Sequence, residues 1–203
     1  MLYIANLKDY DEDFFVSSLA EFNVNVKHHI EKIRHEKSRN QSILAWHIFY
    51  TALKSDYGKT AFEIGFSQSG KPYLLGEDIF FNLSHSENLV ACVISAYEVG
   101  VDVQKNTDNK EKVINRFFTA EEKCAIEESE DKNLSFTRIW TLKESYLKMT
   151  GQGISGELNK IDFSKNLMSN HFKLAQNEFQ TFNFGEYVIS VCSKKADFEL
   201  TKF

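Results

Sequence analysis

The 203-residue chain has one proline, three cysteines and two tryptophans. The lone proline, Pro72, and the lack of any low-complexity segment exclude a proline-rich or disordered chain. Cys92, Cys124 and Cys192 are odd in number, far apart and without a CxxC spacing. They exclude a disulfide framework and suit reduced thiols in the cytosol. Basic charge is also in deficit, with 24 Lys and Arg against 29 Asp and Glu for a net charge of −5. That excludes a nucleic-acid binder relying on bulk positive charge, so any anionic ligand must be held by a local basic cluster. The six histidines show no HExxH or other metal-ligand spacing, and no GxSxG elbow of a serine hydrolase is present. Apolar runs such as "LVACVI" are too short to span a bilayer. The opening "MLYIANLKDYDEDFF" lacks the basic start and long apolar run of a signal peptide. These absences predict a cytoplasmic, soluble protein with neither nucleic acid nor membrane as partner.

What is present is ordinary globular material, 42% hydrophobic and 26% charged. Residues 2–7 read as a strand. From about Val26 to Lys54 the apolar spacing of Ile30, Ile33, Ile43, Leu44, Ile48 and Leu53 is helical, and it stops at Gly58. Gly70-Lys71-Pro72 marks a turn. "IFFNL", "LVACVIS" and "VGVDVQ" then read as an antiparallel meander. Thr119 and Glu122 form a capping box, and a helix ends in "WTLKESYLKMT", stopped by Gly151 and Gly153. Alternation from about Ile161 to Val191 predicts further strands. The order strand, helix, strands occurs twice. It predicts an α+β fold of two similar halves in pseudo-twofold arrangement, 1–97 and 98–203, each a helix on a mostly antiparallel sheet.

Three stretches could carry chemistry. In "WTLKESYLK" (140–148), Ile139, Leu142, Tyr146 and Met149 fall on one helical stripe, while Glu144 and Lys148 share the opposite side. On this stretch alone, a solvated Glu–Lys pair one turn apart explains the charges as well as a site does. In "VGVDVQ", Val99, Val101 and Val103 face one side and Gly100, Asp102 and Gln104 the other. That polar face is either solvated or offers Asp102 as a hard oxygen ligand, with Gly100 leaving room beside it. A strand acid and a helix acid would together suit Mg2+, which takes one or two carboxylates and fills its other positions with water and substrate phosphate. "FNLSHSENL" places Ser84 and His85 in a turn between apolar strands, which is either a satisfied turn or a phosphate-holding group. "GKPY" (70–73) offers a basic residue, a stiff turn and an aromatic.

In this order the motifs "GKPY", "FNLSHS", "VGVDVQ", "RFFTAEE" and "WTLKESYLKMTGQG" resemble the 4′-phosphopantetheinyl transferases of the larger single-chain, surfactin-synthetase-activating type, from about Lys27 to Ile154. The resemblance implies a reaction in which a serine of an apo acyl or peptidyl carrier protein attacks the β-phosphate of coenzyme A, with Mg2+ on the pyrophosphate, and 3′,5′-ADP leaves. It implies Asp102 and Glu144 as metal ligands, with Glu144 also the base, and Lys148 on the attacked phosphate. It also implies Ser84 and His85 at a phosphate of coenzyme A, and Lys71, Pro72 and Tyr73 bordering the adenine. Lys32, Arg34 and Arg39 become a clamp for the 3′-phosphate, while Lys143 is in the motif without a settled role. Many relatives carry D-x-E where this chain has Asp102-Val103-Gln104, so Gln104 binds the metal directly, through water, or only orients Asp102.

The rival readings are a catalytically silent binder of coenzyme A and carrier protein, and an unrelated nucleotide- or Mg2+-binding α+β domain. Two similar halves in one chain predict a monomer. The carrier is expected to dock near Arg116, Phe117 and Phe118, with one phenylalanine inward and the other free as an apolar anchor.

Overall fold

The computed structural model describes residues 1–106, 108, 110–152 and 158–203. The stop signal placed at Gly153 and the end of the resemblance at Ile154 lie outside the described residues. The fold is α+β. It opens with β1 (Leu2–Asn6), then α1 (Glu12–Glu21), α2 (Val24–Glu31) and α3 (Glu36–Asp56). The helix α1 went unread in the sequence, although Asp11 caps it by accepting from the Phe14 amide at 2.9 Å. The single helix expected over 26–54 is two. No apolar residue lies between Ile33 and Ile43, so nothing pins a common axis there. The Ile33 amide instead turns back to the Ile30 carbonyl at 2.9 Å.

A small hairpin, β2 (Ile64–Phe66) and β3 (Pro72–Leu74), precedes β4 (Phe80–Ser86), β5 (Leu89–Ser95) and β6 (Val99–Lys105). The expected three-strand meander is corrected here. β4 and β5 pair antiparallel, but β6 leaves for a second sheet and pairs with β9 (Tyr187–Ser193). Between them run α4 (Glu111–Phe117), α5 (Ala120–Glu128), α6 (Lys132–Thr150), β7 (His171–Leu174) and β8 (Asn177–Phe184). The capping box at Thr119 starts α5, with both reciprocal bonds formed, and Gly151 ends α6 at φ 70°.

The first sheet is ordered β10-β1-β5-β4 and the second β6-β9-β8-β7, where β10 (Leu200–Lys202) returns to pair parallel with β1. One connectivity recurs: a strand, a long helix, then a hairpin whose second strand pairs antiparallel with the first strand. It runs through β1, α3, β4 and β5, and again through β6, α6, β8 and β9.

The two sheets lie face to face. Leu2, Ile4, Ala91 and Val93 of the first meet Val99, Val101, Val103, Ile189 and Val191 of the second. On the outer face of the first sheet, Leu44, Ile48 and Phe49 of α3 cover Val90, Cys92 and Ile94. α6 covers the second sheet, with Leu142 and Met149 against Phe179 and Cys192. With both faces covered, β5 and β9 are buried along their whole length, which is why "LVACVIS" is continuously apolar rather than alternating. Among the described residues no helix is long and apolar enough to cross a membrane.

Candidate active site

Strand alternation places Gly100, Asp102 and Gln104 on the face of β6 that α6 covers. The helix comes so close that a Cβ on Gly100 would lie 2.1 Å from the Ser145 carbonyl oxygen and 2.3 Å from the Met149 nitrogen. Gly100 therefore leaves room for the helix backbone, as well as beside Asp102. Far from being a solvated strand position, Asp102 is 3% exposed. Its Oδ1 accepts from Lys148 Nζ at 2.6 Å and from Ser84 Oγ at 3.0 Å. Lys148 Nζ also donates to Ser84 Oγ at 2.8 Å. Lys148 is thus bound across to the strand acid one layer away, and the solvated-pair alternative for the helix falls.

Asp102 Oδ2 and Glu144 Oε1 are buried with no hydrogen-bond partner among the described residues. Burial first, and the charge of Asp102 second, raise the pKa of Glu144, while Lys148 opposes the shift. Two neighbouring carboxylates, Asp102 buried and Glu144 half-buried, each with a buried unused oxygen, are a donor set that calls for a cation. Hard carboxylate oxygens with open remaining positions fit Mg2+. Among the described residues no group of three or more His, Cys, Asp or Glu side chains that could hold a metal ion is formed, so the protein's acidic ligands at this point are these two. Gln104 lies further along β6, its Oε1 3.4 Å from Ser86 Oγ, and it borders a small cavity of about 100 Å3 with Thr137 and Trp140.

A cavity of about 230 Å3 opens over Glu144 and Lys148, bounded by Lys71, Asn82 and Gly151. It adjoins a second of about 360 Å3 bordered by Pro72, Tyr73, Phe80 and Thr150. The two share Ser69, Lys71 and Gly151. Lys71 spends its ammonium on the last turn of α6, donating to Met149 O at 2.7 Å and to Val99 O at 3.3 Å, and burial lowers its pKa. It ties the β2–β3 hairpin to the C-terminal end of a helix, where a cation is favoured. His85 keeps solvent access, but the packed atoms around it and then the Lys148 charge lower its pKa.

Arg34 is exposed and Arg39 half-buried at the start of α3, and neither borders the two cavities. That end of α3 is anchored on the β4–β5 turn beside His85, where Gln41 donates to Glu87 O at 2.7 Å.

Lys143, whose role the sequence left unread, and Glu122, read only as half of a capping box, are both fully buried. Lys143 Nζ meets Glu122 Oε2 at 2.9 Å, Leu158 O at 2.8 Å and Ile161 O at 2.6 Å. Glu122 also accepts the amides of Thr119 at 2.9 Å and Phe163 at 3.0 Å. Burial pushes Glu122 up and Lys143 down, and their contact opposes both shifts. The lysine beside Glu144 therefore ties α6 to α5 and to the chain at 158–163. The capping box was a visible signal for Glu122; its second partner was not. The free apolar anchor expected at Phe117 or Phe118 is also corrected. Both are buried, at 7% and 3% exposure, because Phe117 packs on Trp140 and Phe118 on Phe136 and Trp140. Arg116 is exposed and lies over the Phe117 ring at 4.9 Å.

β6 and α6 thus bring two acids and a lysine together beside an open cavity. Residues 98–192 match the 4′-phosphopantetheinyl transferase superfamily. A 4′-phosphopantetheinyl transferase of Bacillus subtilis is 25% identical over 177 residues, 81% of this chain and 78% of the relative. The transferase gsp of Aneurinibacillus migulanus is 34% identical over 102 residues, 49% of this chain and 43% of its own length. HetI of a Nostoc species is 36% identical over 109 residues, covering 49% and 45%. Over this segment the chain is similar to the 4′-phosphopantetheinyl transferases, and the matched residues include Asp102, Glu144 and Lys148. It spans somewhat less than half the length of gsp and HetI.

Proposed function

We propose that the protein is a 4′-phosphopantetheinyl transferase, moving the 4′-phosphopantetheine group of coenzyme A to a serine of an apo acyl or peptidyl carrier protein. The observation that carries this reading is the pair of unpartnered buried oxygens, Asp102 Oδ2 and Glu144 Oε1, beside Lys148 in a segment that matches the superfamily. Asp102 and Glu144 would hold Mg2+, which when bound supplies charge neutralisation on the pyrophosphate. Gln104, an amide already facing Ser86, is the weaker oxygen beside them.

Phosphoryl transfer needs positioning and charge compensation more than covalent catalysis. Glu144 takes the proton of the carrier serine as general base. The serine oxygen forms its bond to the β-phosphorus as the bond to the departing 3′,5′-ADP breaks and that fragment keeps the electron pair. Lys148 compensates charge on the phosphate under attack. His85 donates a ring N–H to a phosphate oxygen. The cavity between Pro72, Tyr73 and Phe80 takes the adenine beside Lys71, and Arg34 and Arg39 meet the 3′-phosphate. Both halves contribute to one site, which suits a monomer, and three free cysteines suit the cytoplasm.

The test is incubation with coenzyme A, Mg2+ and a panel of apo carrier proteins, followed by intact mass. The expected result is phosphopantetheine added to at least one carrier and lost when the metal is chelated. Coenzyme A binding without added mass on any carrier would make the protein a silent binder.

A further inference from the structure

β6 is an edge strand of its sheet, with β9 on its other side, so the amides along its free edge need acceptors. β4 supplies them from side chains at the two-residue period of a strand. Asn82 Oδ1 accepts from Val101 N at 2.9 Å, Ser84 Oγ from Val103 N at 3.2 Å and Ser86 Oγ from Lys105 N at 3.0 Å. Ser84, the middle rung, is 5% exposed. It also donates to Asp102 Oδ1 at 3.0 Å and accepts from Lys148 Nζ at 2.8 Å. A hydroxyl has one proton to give and two lone pairs to receive with, and all three are in use.

We propose that Ser84 is a positioning residue that fixes Asp102 and Lys148 relative to each other and to the first half of the chain, and does not itself touch a phosphate of coenzyme A. The inference rests on the reading above, in which Asp102 holds the cation and Lys148 the phosphate. It also selects the ligating atom. Oδ1 of Asp102 is saturated by Ser84 and Lys148, so Oδ2, the unpartnered oxygen, is the one turned to the cation. The first half of the chain thus governs a site whose acids both lie in the second.

The test is Mn2+ binding followed by electron paramagnetic resonance without coenzyme A, alongside steady-state transfer by the same proteins. Ser84→Ala should weaken Mn2+ binding about tenfold, the low end for loss of a partner that orients a ligand. It should lower kcat and leave the KM for coenzyme A within about twofold. Ser84→Thr keeps the hydroxyl and should bind Mn2+ like the parent. Should Ser84→Ala not fold, Ser84→Cys, a weaker donor and acceptor of similar shape, takes its place under the same criteria. Parent-like Mn2+ affinity in Ser84→Ala with a raised KM for coenzyme A overturns the proposal, as does a threonine variant as impaired as alanine. If the parent transfers nothing to any carrier, the functional reading falls and the Mn2+ titration alone still decides Ser84. A parent that binds no Mn2+ overturns both.

Discussion

Replacing Gly100 by alanine tests how closely α6 must approach β6 for the acids to meet. The added Cβ would lie 2.1 Å from the Ser145 carbonyl oxygen, about 1.3 Å inside ordinary contact, and 2.3 Å from the Met149 nitrogen. Both are backbone atoms of a helix, so neither can rotate aside, and the helix must withdraw from the strand. Withdrawal is resisted by Lys71 on Met149 O and by Lys143 on Leu158 O and Ile161 O. Forced overpacking of this kind costs about 1–3 kcal/mol. In a chain of this length each kcal/mol lowers Tm by about 2–4 °C, so a fall of roughly 6–12 °C is expected at the upper end of that range. Glu144 precedes Ser145, so it moves with the helix, and a displacement near 1 Å costs about 10²-fold in rate. Thermal melts and carrier modification by intact mass measure the two effects. Parent-like Tm and turnover would refute the claim that this contact sets the site.

Lys143→Met should cost about 3–5 kcal/mol by urea denaturation, because it leaves Glu122 charged and buried without its partner. Adding Glu122→Gln to that variant should recover part of the loss, and no recovery would argue against the ion pair. Phe117→Ala and Phe118→Ala should each destabilise by about 3–5 kcal/mol while sparing the KM for carrier protein, because both rings are core. A raised carrier KM at unchanged stability would return them to the docking surface. Glu178 is held down to about 2 from 4.5 by Lys173 first and the Ala196 amide next, with His171 contributing. A lowered carboxylate pKa gives stability that is full above 4.5 and lost as pH falls towards about 2. Glu178→Gln should flatten that acid limb in melting curves taken across the window, and an unchanged slope would place the effect elsewhere.

The sequence by itself determined what depends on near neighbours along the chain. The alternation of "VGVDVQ" put Asp102 and Gly100 on one face, Thr119 with Glu122 started a helix, and Gly151 ended one. The helical period separated Glu144 and Lys148 from the apolar stripe, and the motifs in their order resembled those of the 4′-phosphopantetheinyl transferases. Tertiary structure decided what covers each face, because that depends on segments distant in sequence. Nothing in "VGVDVQ" says that β6 leaves β5 for β9; the hydroxyls and amide of β4 that receive its free amides become legible only once the two sheets are stacked. Lys143 and Lys148 look alike in "WTLKESYLK". One faces the buried Glu122 of α5 and the other the Asp102 of β6, so one ammonium ties the helix to α5 and the other ties it to the strand acid. The charge of a lysine is local, but its partner is set by whatever the fold brings within about 3 Å of it.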